Sequence, residues 1–600
     1  MRILYLSVVA ICALGARAEA TYGICSHISR TEFDVRWRNF EAIRDLGLSS
    51  IRMDCDWRSF EKSPGEWDFS RFDTIVADAA TCGLTILPIL YSPPNGVRVW
   101  EDARWGDFCR RVAERYRGRI PAMEIWNEQN AASFWGGVPD ATNYCIALKA
   151  AYRAIKSASP ETTVAIGGFA GVPLDFIEGV YAAGGKEFFD VMSVHPYDER
   201  RTPERALEKR LMDLRAVMER HGDGGKAIWL TEVGWDSSPT PFAAPGLMAR
   251  GVNLARPGGE RLDALYTDFW FTECARVDDR PFFGAIADAL PSNVVLRHCR
   301  PCDLARTLAS SPPDILVLPP FDERYPGGTL DAICAFVNGG GTLVDFGGAP
   351  LFRESKVDEQ DLGDEIEHSW TAARRLRIGV RADARGCFFD RSRLKAGDTF
   401  VPLDITPLSN GTERVNAALY KFAEGGNVLV SGIREKNRCV PISEKAQAKY
   451  LARTLLIARA AGASSIWWYN LRARDYDWHA ACYGLAHSDY TRKPAYDAMK
   501  AFVARCPPSA RMRDGTLRTG RDYHPQWTMP DGTEAGALWS IAAAREVVVA
   551  FSAENVTLSD HMGTPVPPSS AASSGTRRVL TLTDSPVYFS GGRLVGIEAR

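Results

Sequence analysis

Two acidic residues sit where apolar runs stop. Glu124-Ile-Trp-Asn-Glu-Gln-Asn130 closes an apolar-cored stretch with amides and a carboxylate, Glu128, and Ala227-Ile-Trp-Leu-Thr-Glu-Val-Gly-Trp235 closes a similar run with Glu232. A pair of carboxyl groups is what glycosidic bond cleavage needs. One protonates the leaving oxygen while the other attacks the sugar carbon, or activates a water against it, from the opposite side. Singly, each acid is as readily a solvated loop residue, because charged side chains normally end exposed. Two acids in matching strand-end contexts point to one joint site.

The elements that must position this pair read as repeated βα units. Short apolar runs alternate with longer amphipathic ones from Thr21 to about Trp235, the pattern of a parallel sheet with covering helices. Strands are predicted at 22–26, 50–53, 84–90, 122–126, 163–167, 191–194 and 227–231, with helices at 34–46, 72–82, 107–116, 144–157 and 203–221 between them. An eighth strand is needed to close a barrel, and it does not come next. Residues 241–442 read as a second, smaller α/β unit, with strands at 293–297, 314–318 and 341–346 and helices at 303–310 and 330–338. An amphipathic helix at 443–461 then leads to Ser464-Ser-Ile-Trp-Trp-Tyr-Asn470, the missing strand, and 496–503 is its closing helix. The expected fold is a (β/α)8 TIM barrel (21–240 and 443–508) interrupted by an α/β insert (241–442). From about Arg511 the helical period gives way to short β-rich runs, so 509–600 is expected to be a β-sandwich-like domain. In such barrels the reactive groups lie at strand C-termini, and Glu128 and Glu232 end the fourth and seventh predicted strands.

Trp126-Asn127-Glu128 and Thr231-Glu232-Val-Gly-Trp235 resemble the two signatures of glycoside hydrolase clan A. The resemblance implies a retaining mechanism in which the fourth-strand glutamate is acid/base and the seventh-strand glutamate is nucleophile. The barrel is most similar to the β-xylosidase and α-L-iduronidase family, and Gly484-Leu with Lys493-Pro-Ala-Tyr496 resembles that family's closing segment. It further implies that Asn127 holds the sugar 2-hydroxyl and that Arg52, at the second strand end, supports the nucleophile. Trp468, at the eighth strand end, looks like the clan's sugar platform, and Trp467 is expected to point the other way. Phe336-Val-Asn-Gly-Gly-Gly-Thr-Leu-Val344 resembles the flavodoxin-like or amidotransferase-like domain that serves for trimerisation in certain β-galactosidases and in a β-mannosidase family of the clan. No nucleophilic cysteine follows the strand in Asp345-Phe-Gly-Gly-Ala-Pro350, so the insert is expected to be structural, with a homo-oligomer, a trimer, as its implied product.

Several other residues stand near the strand ends. His195 and Tyr197, in Ser-Val-His-Pro-Tyr, are placed to contact the nucleophile, the alternative being a satisfied polar plug. Trp57, Tyr91 and Trp235 are either sugar platforms or core residues. Asp54 and Asp56 either bind hydroxyls of a terminal sugar or cap the following loop. Cys299-Arg-Pro-Cys302 has the spacing of a redox or metal half-site but lacks a second pair, so a surface disulfide or inert thiols compete with a functional dithiol.

Composition narrows the rest. A net charge of −2 leaves no basic footprint for nucleic acid. Arg2, an apolar stretch from Ile3 to Leu14 and small residues at 16–20 have the order of a signal peptide, residues 1–20, too short to span a membrane. Ile11 before Cys12 does not favour lipidation. The expected location is secreted or periplasmic, with no membrane association after cleavage. The nine histidines show no HExxH spacing or triad, so no catalytic metal and no cofactor are expected. The expected partner is an oligosaccharide or polysaccharide, and the expected activity is retaining exo-β-glycosidase. An endo-acting β-glycanase, a non-catalytic glycan-binding barrel and an assembly protein built on the insert are the competing readings.

Overall fold

The computed structural model describes residues 20–30, 33–197, 202–237, 245–267, 286–287, 290–299, 301–318, 324–326, 328–345, 353–355, 371–383, 386–408, 413–431, 442–472, 483–542, 544–567 and 575–600. The expected leader, except for its last residue, lies outside them. Eight parallel strands close on themselves: β1 (Tyr22–Cys25), β2 (Ser50–Asp56), β3 (Thr85–Tyr91), β4 (Ala122–Asn127), β5 (Thr163–Ala170), β6 (Val191–His195), β7 (Ala227–Val233) and β8 (Ala463–Trp468). β8 pairs with β7 on one side and β1 on the other, so the last strand arrives from beyond the insert and shuts the cylinder. The strands are apolar on both faces because one faces the barrel interior and the other the helices. Cys25, Leu87, Ala122, Ala165, Val191, Trp229 and Trp467 fill the interior. The rings of Trp229 and Trp467 lie 5.2 Å apart. A Cβ at residue 23 would fall 2.2 Å from Trp467 Nε1, so β1 carries glycine there.

The outer layer follows the expected alternation, with one addition. A helix at Leu174–Ala182 between β5 and β6 buries Ile177, Val180 and Tyr181. It was not anticipated, because only nine residues with two glycines close by carry a weak period. The helix Ala141–Ala158 starts where Asp140 accepts a hydrogen bond from Asn143 N–H. The helix Glu444–Ala460 is capped by Ser443 in the same way. It is buried nearly all round, because it lies between the barrel and the C-terminal domain.

Between β7 and β8 the insert forms a seven-stranded sheet in the order 294–299, 262–267, 315–318, 342–345, 427–431, 413–421, 399–407. The first five pair in parallel and the last two antiparallel. By chain position the opening order is second, first, third, fourth, the arrangement of doubly wound α/β folds. The founding strand, Leu262–Thr267, the helix Pro245–Ala255 and the antiparallel strands Thr399–Pro407 and Glu413–Lys421 are additions to the elements that the sequence predicts. In the C-terminal region two antiparallel sheets enclose Leu538, Val547, Val549, Leu580 and Phe589, a β-sandwich.

The barrel and this domain meet across a charged contact. Arg453 donates to Glu204 at 2.6 and 2.8 Å and to Asp584 at 3.4 Å, and Trp539 Nε1 donates to Glu204 at 2.9 Å. Among the described residues, no helix is long and apolar enough to cross a membrane.

Candidate active site

Glu128 follows β4 and Glu232 is the penultimate residue of β7, so both project at the C-terminal mouth of the barrel. One carboxylate oxygen from each, with a ring nitrogen of His195, lie within 4.8 Å of one another. Each of the two carboxyl side chains is 15% exposed, enough to meet a substrate and little enough to feel low dielectric.

The backbone aims Glu128. Trp126 and Glu128 both have positive φ, 76° and 50°, which breaks the strand alternation at its tip. The Glu128 N–H donates to Gly168 O at 2.9 Å, tying the turn to β5. Gln129 Nε2 and Asn130 Nδ2 donate to Gly167 O and Ala170 O of the same strand. Residue 168 must be glycine: a Cβ there would sit 2.1 Å from His195 Nε2.

Arg52, 2% exposed, is the hub beneath the carboxyl pair. It donates to Glu232 Oε1 at 2.5 Å, to Asn127 Oδ1 at 2.8 Å and to Glu124 Oε2 at 2.6 Å. Tyr197 Oη donates to the other oxygen of Glu232 at 3.0 Å. Burial pushes the Glu232 carboxyl up, but the His195 ring, Arg52 and the Tyr197 hydrogen bond outweigh it and hold it below the ordinary glutamate range. Burial first, and the Glu232 charge next, raise Tyr197 well above the usual tyrosine value, so it stays a donor. His195 is fully buried, with Nδ1 3.0 Å from Glu128 Oε1 and 3.9 Å from Glu232 Oε2. Its Nε2 lies 3.1 Å from Thr231 Oγ1. At Nδ1 the ring can donate to an ionised Glu128 or accept from a protonated one, so it can follow the Glu128 proton through a reaction cycle.

The structure therefore brings Arg52, Asn127, Glu128, His195, Tyr197 and Glu232 into one cluster. Two aromatic expectations are corrected. Trp468 is fully buried, packs with the outer core and points its Nε1 to Tyr483 O at 3.4 Å. Inward positions on β8 alternate through Trp467, so the next residue facing the mouth is Tyr469. The Tyr469 hydroxyl lies 3.4 Å from His27 Nε2 and its ring is edge-on to Tyr197. Trp235 is 5% exposed, donates to Thr454 Oγ1 at 2.8 Å and packs on Tyr450, so it belongs to the helix layer. Trp57 is likewise core, stacked on Phe108.

Asp54 does face the mouth. It meets His27 Nδ1 at 3.1 Å and accepts from Tyr91 Oη at 3.1 Å. His27 was not foreseen, although a histidine two residues past a strand end carries the same signal that singled out His195. Asp56 makes no capping bond to the one-turn helix Trp57–Phe60. Glu124 was also passed over. It is fully buried and accepts from Arg52, Gly168 N–H, Ser193 and Thr231. An acid inside an apolar run was the available signal, since such a group is buried only when paired. In the insert, Cys299 is buried with Sγ 3.5 Å from Thr307 Oγ1, and the side chain of Cys302 lies outside the description.

Among the described residues, Glu128, His195 and Glu232 also form the group whose donor atoms approach closely enough for a cation. The Arg52 guanidinium already supplies positive charge 2.5 Å from Glu232, which works against a second cation there.

No family model matches the chain, and no curated protein does. Among solved structures, a family 39 glycoside hydrolase from the gut symbiont Bacteroides cellulosilyticus WH2 aligns with a TM-score of 0.53 at 17% identity, over 95% of this chain and 80% of that one. A GH30 endoxylanase from Clostridium papyrosolvens C71 aligns at 0.46 and 10% identity, over 96% and 97%. The GH39 enzyme from Xanthomonas axonopodis pv. citri aligns at 0.44 and 11%, over 98% and 96%. The first likeness shows the fold; the chemistry rests on the site's own geometry.

Proposed function

We propose that this chain is an exported retaining exo-β-glycosidase acting on oligosaccharides derived from polysaccharides or glycans. The approach of Glu128 and Glu232 carries the reading. One oxygen of each comes within 4.8 Å of the other, an approach that suits retaining enzymes, whose two carboxyls stand about 5–5.5 Å apart, better than inverting ones at about 6.5–9.5 Å.

In the first step a Glu232 oxygen bonds to the anomeric carbon as the bond to the leaving oxygen breaks, and that oxygen takes the Glu128 proton. In the second step Glu128 takes a proton from water, whose oxygen displaces Glu232 from the sugar. Arg52 and Tyr197 aim the nucleophile and keep it ionised, and His195 holds Glu128. Asn127, fixed through Oδ1 by Arg52, presents its amide N–H groups to the 2-hydroxyl. The His27–Asp54–Tyr91 cluster beside Tyr469 offers hydroxyl partners for one terminal sugar, which favours exo over endo action. Export rests on the leader, and a homo-oligomer through the insert is part of the same proposal, open to light scattering on the mature protein.

The test is a panel of nitrophenyl β-D-mannoside, xyloside, galactoside and glucoside, with wild type, Glu232→Ala and Glu128→Gln. Hydrolysis of one sugar by wild type and its loss in both variants is expected. Variants as fast as wild type refute the assignment.

A further inference from the structure

Glu124 is a fully buried carboxylate that the two-step chemistry does not use. Its Oε1 accepts from Gly168 N–H at 2.9 Å, Thr231 Oγ1 at 2.7 Å and Ser193 Oγ at 3.3 Å, and its Oε2 accepts from Arg52 Nε at 2.6 Å. Arg52 thus stands between two carboxylates, Glu124 below and Glu232 above, at nearly equal distances. The lower one is sealed and the upper one is open to the mouth.

This asymmetry has a consequence for a nucleophile that becomes an ester. When the Glu232 oxygen bonds to the anomeric carbon, its negative charge is gone, while Arg52, 2% exposed, keeps its positive charge. A buried charge without a partner is strongly destabilised. We infer that Glu124 is a positioning residue that serves as the standing counter-ion of Arg52, keeping the buried charge balanced while Glu232 is covalently occupied. The inference rests on the glycosidase reading above. With Glu124 ionised, the Arg52–Glu124–Glu232 set carries one net negative charge before attack and none after it. Without that charge, the same set goes from neutral to an unpaired buried cation. The step into the intermediate then becomes harder, and the step out, which restores the Glu232 carboxylate, becomes no harder. A role confined to holding the strands would slow both.

The remaining charged and titratable neighbours of Glu232 do not supply this balance. Cys25 from β1 is a thiol that burial pushes up, hence neutral. Tyr197 is neutral for the same reason. His195 can add only positive charge, and Glu128, an anion once it has given up its proton, meets His195 Nδ1 at 3.0 Å, whereas the Arg52 N–H groups go to Glu124, Glu232 and Asn127. Tyr144, which borders Glu124 from the helix side, is raised by burial and donates to Ile125 O.

The experiment uses the full mature chain and the 2,4-dinitrophenyl 2-deoxy-2-fluoro glycoside of the sugar preferred in the nitrophenyl panel. The rate of covalent labelling reads the step in, and the recovery of activity after removing the reagent reads the step out. In Glu124→Gln, labelling is expected to slow about a hundredfold or more, with recovery as fast as wild type or faster. Because a buried amide beside Arg52 can unfold the barrel, Glu124→Asp is measured alongside. It keeps the charge but withdraws it by one methylene, and a smaller loss in labelling alone is expected. Ser193→Ala removes a donor from the same carboxylate with the charge intact, and should lower the Tm without changing the ratio of the two rates. Equal slowing of both steps in a folded Glu124 variant, or of neither, overturns the inference. A second readout needs no turnover: the 13C-carboxyl titration of Glu232, assigned with Glu232→Gln, should move to lower pH in Glu124→Gln. An unmoved titration overturns the charge coupling. A wild-type protein inert toward the whole panel refutes the glycosidase reading instead, and the titration still decides the coupling.

Discussion

Arg52 at the barrel mouth and Arg453 in the contact between barrel and β-sandwich are each 2% exposed, and each stands between two carboxylates. At the contact, Glu204 receives both forks of Arg453 and the Trp539 N–H, and its side chain is 1% exposed. At the mouth, Arg52 reaches Glu232 with a single N–H, and that carboxylate is 15% exposed. The chemical parts are the same and the sealing differs. A fully satisfied buried pair on the barrel helices anchors Trp539 and Asp584 of the sandwich, whereas a pair left open on one side presents a low-pKa carboxylate to a substrate.

The largest effects should separate the two. Glu232→Ala is expected to cost about 10⁴-fold or more in kcat/KM with little change in Tm. Glu204→Ala should destabilise by about 3–5 kcal/mol, because Arg453 keeps a buried charge without its main partner. Urea denaturation reads that loss, and the folded fraction should keep kcat/KM within about twofold. A Glu204→Ala protein that is stable but inactive would erase the distinction.

Tyr197→Phe comes next. It removes a hydrogen bond to the charged Glu232, so kcat/KM should fall about tenfold. Since that bond helps to lower the Glu232 pKa, its loss should move the acid limb of the pH profile upward.

Acid should weaken the contact before the mouth. Burial chiefly, with Lys449 and Arg453, holds His561 beside the contact down to about 4, against an ordinary 6.5. A folded pKa below the unfolded one gives stability that is complete above about 6.5 and is lost as pH falls toward about 4. Glu232 is also depressed, but from the carboxylate range, so its contribution is lost only at more acid pH. His561→Asn should therefore flatten the fall in urea midpoint between about pH 7 and about pH 5.

The smallest effect concerns the aromatic correction. Trp468→Phe should leave KM within about twofold, since its ring has no face in the mouth, whereas Tyr469→Ala should raise KM about tenfold through a lost ring contact.

The barrel was legible because parallel strands are long apolar runs and their helices keep a regular period, so even β8 could be matched across the insert. Glu128 and Glu232 were legible because acids at strand tips break an apolar run. Arg52 and Asn127 came through resemblance to a clan signature. What failed depended on which face a side chain takes. Trp467 and Trp468 are identical in type, and only closure against β1 shows that Trp467 fills the interior and Tyr469 takes the mouth. Glu124 stands out as an acid inside an apolar run, but its role is not legible there because its partners lie on β2, β5, β6 and β7, all distant in the chain. The founding strand of the insert, Leu262–Thr267, is interrupted by Asp263, whose carboxylate meets Arg297 on the neighbouring strand.

The central claim is that Glu232 becomes covalently attached to the sugar. Peptide mapping by mass spectrometry, after inactivation with the 2-deoxy-2-fluoro glycoside, tests it most directly. The label is predicted on Glu232. A label on another residue, or no covalent adduct on a chain that hydrolyses the parent glycoside, would contradict the account.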